Sequence, residues 1–553
     1  MVTPQLKSKN ITYYTLLLIA GCILTFPLVG SQIIPGHDHV FHISRIQCIA
    51  EALKTGVFPV RMYVDSVRFW GAPVGFFYPG LFNYIPAILL LIGLPIEICY
   101  NSFILLIFFL GLYASWQGFS ILTKSKNIGL FSTALYISSG YYLMDAYIRN
   151  ALGELLSLSF LPLAIACFFS IINKTKVPFK IYVFFIVSFS AVIESHLLSS
   201  VFLILFCSFY LLLHHKKLTV VICKRMFLIS LIIFLLNASF AIPFLFLYKA
   251  VPLSVEFINR FSQFCWSPIT ICYFLIYMNF WLFTSLYMFL ATKFHCFSTF
   301  SNTKKKQFLY YLSYMLTGIF FLFIASTLFP WNQLVPLKNI FKTMQFPWRF
   351  LGISTIFLCV CGGFGLHLLS QRFKLNIVIS QLFIIIICIT NVLCIFMINS
   401  TPIGGMPTKT YWKRFPVKSD FDYLYKDIDI KTLFEQGNRF ETNAKISNYK
   451  KNLTDISFYY TTPYDAKIVL PLVNYPGYIV KKQNGDKISK INIAENDNHM
   501  IMILLPAGNG TINVHYEGLT LFKIADYISV ISLLVFILYV IRKFKLNGWN
   551  KLI

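Results

Sequence analysis

Acidic side chains are scarce in this sequence. Only 21 of its 553 residues are Asp or Glu, against 47 Lys and Arg, and charged residues of both signs make up 12% of the chain. A chain so poor in charge, and 57% hydrophobic, cannot clothe a water-soluble surface, which excludes a soluble enzyme. Paired cysteines are missing too. The thirteen cysteines form no C-x-x-C motif, lie mostly inside apolar runs and are absent from the polar stretch 400–519, so neither zinc ribbons nor a disulfide framework is indicated. They read as small hydrophobes. The net charge of +26 does not mark a nucleic-acid binder either. Most Lys residues before residue 400 fall in short connections between apolar runs, where orientation in a bilayer needs them.

What is present is a succession of apolar runs long enough to span a bilayer. Lys7 and Lys9 precede the run 11–29, which no small-residue cleavage site follows, so it reads as an uncleaved first span with its amino end in the cytoplasm. A long first external loop comes next. The run 81–96, broken by Pro86, Gly93 and Pro95, is expected to lie at the interface, because that choice keeps Lys124 and Lys126 cytoplasmic. Further spans are then expected at 99–122, 128–145, 154–173, 181–193, 197–213, 226–247, 269–291, 308–328, 351–369, 377–398 and 522–541. That makes about twelve crossings with both termini inside. The chain thus divides into a membrane domain at 1–399, with its first external loop and juxtamembrane helices at 30–98, a polar extracytoplasmic domain at 400–519, and a last span with a basic tail at 520–553. Alternating segments at 455–460, 466–472, 478–482, 500–505 and 511–516, with turn signals at Asn484-Gly485 and Gly508-Asn509-Gly510, predict a small antiparallel β-sandwich in the polar domain.

The few carboxylates are placed unevenly. Before residue 400 there are eight, Asp38, Glu51, Asp65, Glu97, Asp145, Glu154, Glu194 and Glu256, and the expected topology puts all of them at the outer side. Insertion does not demand this, since acidic residues have little say in orientation. Arg45, Arg61, Arg68, Arg149, Arg260 and Arg349 are also outside, whereas the cytoplasmic turns favour Lys. Arg suits the holding of phosphate by a planar fork of donors. Glu51, Asp65 and Glu256 read as ordinary surface charges, and Trp348 as an interface anchor.

The chain is organised around Gly36-His37-Asp38-His39-Val40-Phe41-His42-Ile43-Ser44-Arg45. Asp38, His42 and Arg45 stand at i, i+4 and i+7, so on a helix they share one face. His37, His39 and His42 offer nitrogen ligands for zinc, but the i, i+2 pair diverges on a helix, and hydrogen bonding is the plainer role. A solvated anchor is the plain reading of any single juxtamembrane Asp or Arg.

This stretch, with Gly71-Ala72-Pro73, Phe77-Tyr78-Pro79, Tyr147-Ile148-Arg149-Asn150-Ala151-Leu152-Gly153-Glu154, Pro162 and Gln345-Phe346-Pro347-Trp348-Arg349-Phe350, resembles bacterial membrane proteins of the YfhO type. Some relatives of that group carry the label 6-pyruvoyl-tetrahydropterin synthase-related, a soluble zinc chemistry that nothing in the spans supports. The membrane half resembles a GT-C glycosyltransferase, and Asn474-Tyr475-Pro476-Gly477-Tyr478 with Leu505-Pro506-Ala507-Gly508 resembles the group's extracytoplasmic β-domain.

The resemblance implies transfer of a sugar from a polyprenyl-phosphate carrier to a cell-envelope glycan or teichoic-acid-like acceptor outside a bacterial plasma membrane. Asp38 is then the general base. Arg349 meets the leaving phosphate, Arg149 and Glu154 bind donor or order the first loop, and His42, Arg45 and His196 line the site. The resemblance fixes no cofactor and leaves open a divalent cation held by Asp38, as in some GT-C enzymes. Two other classes stay open. A lipid-linked glycan transporter would carry ionisable residues deep within its spans, which are almost lacking here. A noncatalytic protein of envelope polysaccharide assembly would keep the fold without the activity.

Overall fold

The computed structural model describes residues 4–30, 32–63, 70–253, 265–270, 302–333, 346–374, 377–399, 423–437 and 439–547, with a few positions between 282 and 290. The expected span 269–291 and the start of the polar domain lie largely outside the described residues. So do Asp65, Arg68, Glu256 and Arg260.

Helices dominate up to residue 399. They are α1 (Pro4–Thr25), α2 (His39–Lys54), α3 (Val74–Phe77), α4 (Tyr84–Leu91), α5 (Ile96–Thr123), α6 (Lys126–Ile137), α7 (Gly140–Tyr147), α8 (Leu152–Asn173), α9 (Phe179–Ser195), α10 (Leu197–Leu213), α11 (Val220–Leu236), α12 (Ala238–Ala250), α13 (Asn302–Ala325), α14 (Phe350–Arg372) and α15 (Ile377–Asn399). A short α16 (Ile430–Gln436) precedes the strands, and α17 (Thr520–Asn547) follows them.

Among the described residues six helices are long and apolar enough to cross a membrane: α1 (as Ile11–Leu28), α5, α8, α13, α14 (as Pro347–Arg372) and α17. The pair α11 and α12 adds a seventh if counted as one span, although it bends by 82°. These are fewer than the crossings expected from hydropathy, and local polar groups account for part of the difference. The expected span 128–145 is two helices, because the Ser139 side chain accepts from Tyr142 N and starts α7 afresh. The run 226–247 breaks at Asn237, whose amide donates back to Ile233 O at 2.6 Å and to Ser190 Oγ at 2.9 Å. Helix α4 has 8 residues and so rises only about 12 Å, too little to cross.

Burial orders the bundle. The apolar windows of α8 and α14 are 94% and 89% enclosed, whereas that of α17 is 11% enclosed, so α8 and α14 form the centre and α17 the rim. α8 packs on α5 and α9, and α14 on α13 and α6. Gly118 lets α5 approach α8 closely: a Cβ there would lie 2.6 Å from the backbone of Pro162 and Leu163.

The polar domain folds as two antiparallel sheets. The strands β1 (Glu441–Thr442), β4 (Ala466–Val473), β8 (Met500–Leu505) and β7 (Ala494–Glu495) pair in the order β1-β4-β8-β7. The other sheet runs β2-β3-β9-β5-β6, from β2 (Lys445–Asn452), β3 (Asp455–Thr462), β9 (Gly508–Tyr516), β5 (Tyr478–Asn484) and β6 (Lys487–Ile491). Alternation sets the faces: Ile456, Phe458 and Tyr460 of β3 are buried and their neighbours are not. Asn484-Gly485 turns the β5–β6 hairpin, Gly485 taking φ 55°. Gly508-Asn509-Gly510 differs from its reading as a turn. It is the first part of β9, paired with Tyr460, Thr461 and Thr462.

Two ties bind the first loop to later parts of the chain. Trp70 is fully buried, donates from Nε1 to Gly437 O at 2.8 Å and accepts from Val473 N at 3.0 Å. Arg61 grips Asp526 of α17 with two nitrogens, at 3.0 and 2.5 Å, and Ser239 O of α12 at 2.9 Å. A Trp70→Phe variant keeps most of the ring packing and loses the indole hydrogen bond. It should cost about 1 kcal/mol, read as faster limited proteolysis around residues 437–440 with the bundle unaffected; unchanged cleavage would show that the bond does not hold this junction.

Candidate active site

Helix α2 begins at Asp38, whose backbone (φ −105°, ψ 1°) lies outside the helical region and whose side chain makes no capping bond. Instead the main chain of the first loop runs along the turn after α7: His37 N donates to Ile148 O at 3.1 Å and Asp38 N to Arg149 O at 2.7 Å. Asn150 adopts the left-handed conformation at φ 53° and its amide holds Ile34 O at 2.9 Å. Gly36 fits against it because there is no room for more, as a Cβ there would lie 2.7 Å from Ile148 O.

This pairing brings Asp38 to a buried set of charges. Arg149 binds Asp145 Oδ1 at 2.5 Å and Glu154 Oε2 at 2.9 Å. Arg349, at the start of α14, binds the same Glu154 oxygen through Nε at 3.3 Å. Tyr141 donates to the other Glu154 oxygen at 2.6 Å. Asp38 Oδ2 lies 3.9 Å from Arg149 Nη2. Two buried guanidiniums therefore face two buried carboxylates. Asp38 stands at the edge as a surplus carboxylate, 43% of its side chain open, while Asp145, Glu154, Arg149 and Arg349 are 0–11% exposed.

The environment sets the protonation behaviour of the groups around this quartet. Loss of hydration raises the Asp38 carboxyl above the usual carboxylate range, against the opposing pull of Arg149 and Arg349. Burial also lowers His196 to about 3, reinforced by Arg349 and opposed by Glu154. His196 is therefore neutral. Its Nδ1 accepts from Ser199 N at 3.4 Å and lies 2.8 Å from Ser199 Oγ, an arrangement that leaves the ring proton on Nε2. Burial pushes His42 well below its ordinary value too. Its ring packs edge-on against Tyr78, and its Nδ1 is buried with no hydrogen-bond partner.

The geometry separates the residues that the sequence groups together. Asp38, Arg149, Glu154 and Arg349 are gathered as one set, with His196 near it. Arg45 is not part of the set. It is 1% exposed, donates to Pro79 O at 2.6 Å and Tyr78 O at 3.3 Å, and stacks over the Tyr78 ring at 4.2 Å. Its role here is to hold the Phe77-Tyr78-Pro79 turn against α2. The reason is Asp38 itself: as the residue that precedes the helix it leaves the face that His42 and Arg45 share. Arg149, engaged by two buried carboxylates and tied to the loop through its carbonyl, is placed to order the first loop. Tyr141 and Asp145 belong to the site although the sequence reading passes over Tyr141 and counts Asp145 among the outer carboxylates without giving it a role. They stand at i and i+4 before Arg149 at i+8, so one face of α7 and the turn after it carries all three.

Arg349 and Glu154 also form the polar end of a cavity between α8, α10 and α14, walled by Leu158, Leu161, Phe202 and Ile353. Its volume of about 10 Å³ admits about one water molecule. Among the described residues no group of three or more His, Cys, Asp or Glu side chains is arranged to hold a metal ion. The carboxylates converge on Arg149 rather than on an open point between them, and His39 Nδ1 is engaged by Gly36 O at 2.5 Å. The donor set therefore does not fit a divalent cation.

No protein-family model matches the chain, and no curated protein shows significant similarity to it.

Proposed function

We propose that the chain is a multi-pass membrane glycosyltransferase of the GT-C kind, acting outside a bacterial plasma membrane on a polyprenyl-phosphate-linked sugar and a cell-envelope glycan acceptor. In this reading both termini are cytoplasmic, the short apolar helices complete about twelve crossings, and the β-domain lies outside over the first loop. One observation carries it. Asp38 is the open, surplus carboxylate at the edge of a buried and charge-balanced quartet that contains Arg349.

The chemistry suits those positions. The acceptor hydroxyl gives its proton to Asp38 as its oxygen bonds to the anomeric carbon. The bond from that carbon to the phosphate oxygen breaks, and its electron pair leaves with the phosphate. Arg349 stabilises the growing charge. Since Glu154 already neutralises Arg349 and the adjoining cavity has room for only about one water, the phosphate must compete with Glu154 as α10 and α14 part. His196, neutral with its proton on Nε2, is a hydrogen-bond donor within the same neighbourhood.

A base works only when deprotonated, and burial raises the Asp38 carboxyl. Transfer should therefore fall with decreasing pH through a midpoint above the ordinary carboxylate value of about 3.9, with activity present on the alkaline side. A kcat/KM profile that stays flat across that acid range would remove Asp38 as the base. The direct test of the function is the lipid-linked sugar pool. Cells that lack the protein should accumulate one polyprenyl-phosphate sugar and lose one decoration of their envelope polymer; an unchanged pool would sink the proposal.

The charge balance favours a second reading. A quartet satisfied internally also serves as a structural lock in a noncatalytic envelope-assembly protein. The two readings part at Asp38, whose side chain the lock does not need.

A further inference from the structure

The quartet occupies one end of the bundle; a different kind of site occupies the other. Helix α8 carries Glu154 near its start and Asn173 at its end, and 22 residues rise about 33 Å, close to the hydrocarbon thickness of a bilayer. Around the far end of α8 lies a cavity of about 720 Å³, within the roughly 300–1,000 Å³ of ligand pockets. Its interior is aromatic, lined by Phe169, Phe206, Tyr314, Phe321 and Phe357. Phe169 lies parallel to Tyr314 with centroids 6.4 Å apart and packs tilted by 35° against Tyr210 at 4.7 Å. Phe209 and Leu213 of α10 and Leu316 and Phe320 of α13 also line it, and each is 43–63% exposed at the outside of the bundle.

Charge gathers at the mouth. Lys124, Lys174, Lys217 and His214 border the cavity, and none of its described lining residues is acidic. The border is also built. Lys217 donates to Asn173 Oδ1 at 3.1 Å, Asn173 Nδ2 donates to the Tyr210 hydroxyl at 3.1 Å, and the His214 ring stacks on Tyr210 at 4.1 Å. Three lysines at the depth of a membrane surface, above an apolar chamber flanked by exposed hydrophobic helices, match one ligand form: an anionic head joined to a hydrocarbon chain.

From this we infer that the cavity is a binding site for an anionic glycerophospholipid of the leaflet opposite Asp38. The head group sits among Lys124, Lys174 and Lys217, and one acyl chain enters between α10 and α13 to pack on Phe169, Phe206 and Phe357. The inference rests on the chain lying in a membrane, not on its being a transferase.

The test uses the full chain in neutral detergent with defined lipids added, and native mass spectrometry to count the lipids retained. Phosphatidylglycerol should be retained about tenfold or more better than phosphatidylcholine of the same chains, because only its head group carries a net negative charge for the three lysines to meet. K124Q/K174Q/K217Q should abolish the preference, while T317W, which fills the chamber and leaves the lysines, should reduce binding of both lipids. Equal retention of the two by the native chain, or a triple variant that keeps the preference, would overturn the site. Preferential retention of an added polyprenyl phosphate would overturn the choice of a glycerophospholipid. Alkaline carbonate extraction of native membranes separates the two failures: a chain that is released overturns the membrane reading and this site with it, whereas an integrated chain without lipid preference overturns this site alone.

Discussion

Replacing Asp38 with asparagine is expected to lower sugar transfer by about 10²–10⁴-fold, the usual contribution of a positioned general base. The variant keeps the shape of the side chain. It also keeps the backbone bond from residue 38 to Arg149 O, which fixes the first loop. The side chain's ion pair is long, 3.9 Å, and partly open to solvent, so its loss should cost stability only about 0–1 kcal/mol. A large catalytic effect with a small stability effect is the signature required. The measurement is the transfer rate in membranes carrying equal amounts of the two proteins, with kcat falling and KM little changed. If Asp38→Asn transfers sugar at the native rate, or leaves the envelope polymer fully decorated, the base is elsewhere and the structural-lock reading stands.

Glu154 should behave in the opposite way. Its carboxylate is the hinge of the quartet, since one oxygen serves both Arg149 and Arg349 and the other accepts from Tyr141. Removing it in Glu154→Leu leaves two buried guanidiniums facing a single carboxylate, and uncompensated buried charge costs about 3–5 kcal/mol. Little folded protein should survive extraction, whatever the protein does chemically. A double-mutant cycle provides the sharper measurement. With Arg349→Gln added to Glu154→Gln, the combined loss of thermal stability should be less than the sum of the two single losses, because the second change removes the charge that the first left stranded. Additive losses would mean that the 3.3 Å contact carries no coupling and that the quartet does not act as a unit.

Much of this was open to reading from residues. Long apolar runs mark α1, α5, α8, α13, α14 and α17 because bilayer thickness imposes length; the alternation in 455–460 marks β3 because one face of it is buried, while 466–472 marks β4 as an apolar run that is enclosed on both faces. Arg149, Glu154 and Arg349 of the quartet were accessible for a different reason. In a chain this short of carboxylates, a Glu five residues from an Arg in a connecting segment is conspicuous. What periodicity misses is set by single polar side chains. Ser139 divides a run that hydropathy alone joins, and Asn237 bends another. Asp38 shows the same limit. Spacing places it with His42 and Arg45, yet a residue at the helix boundary need not follow the helix, and its backbone turns its carboxylate toward Arg149 while Arg45 closes on Pro79. Tyr141 carries no motif that would single it out before Arg149 is known to matter, and Asp145 is marked only as a scarce carboxylate, with nothing to tie it to Arg149.

The bridge between Arg61 and Asp526 has a consequence in time. Its two partners are separated by 465 residues, so a ribosome working at about 5–20 residues per second delivers the second about 20 to 90 seconds after the first. Throughout that interval the newly made loop has neither its carboxylate clasp nor α17 beside it. The two ends of the first loop are therefore secured at different times: the Asp38 end by the carbonyls of Ile148 and Arg149 as soon as α7 is made, the Arg61 end only once α17 has followed.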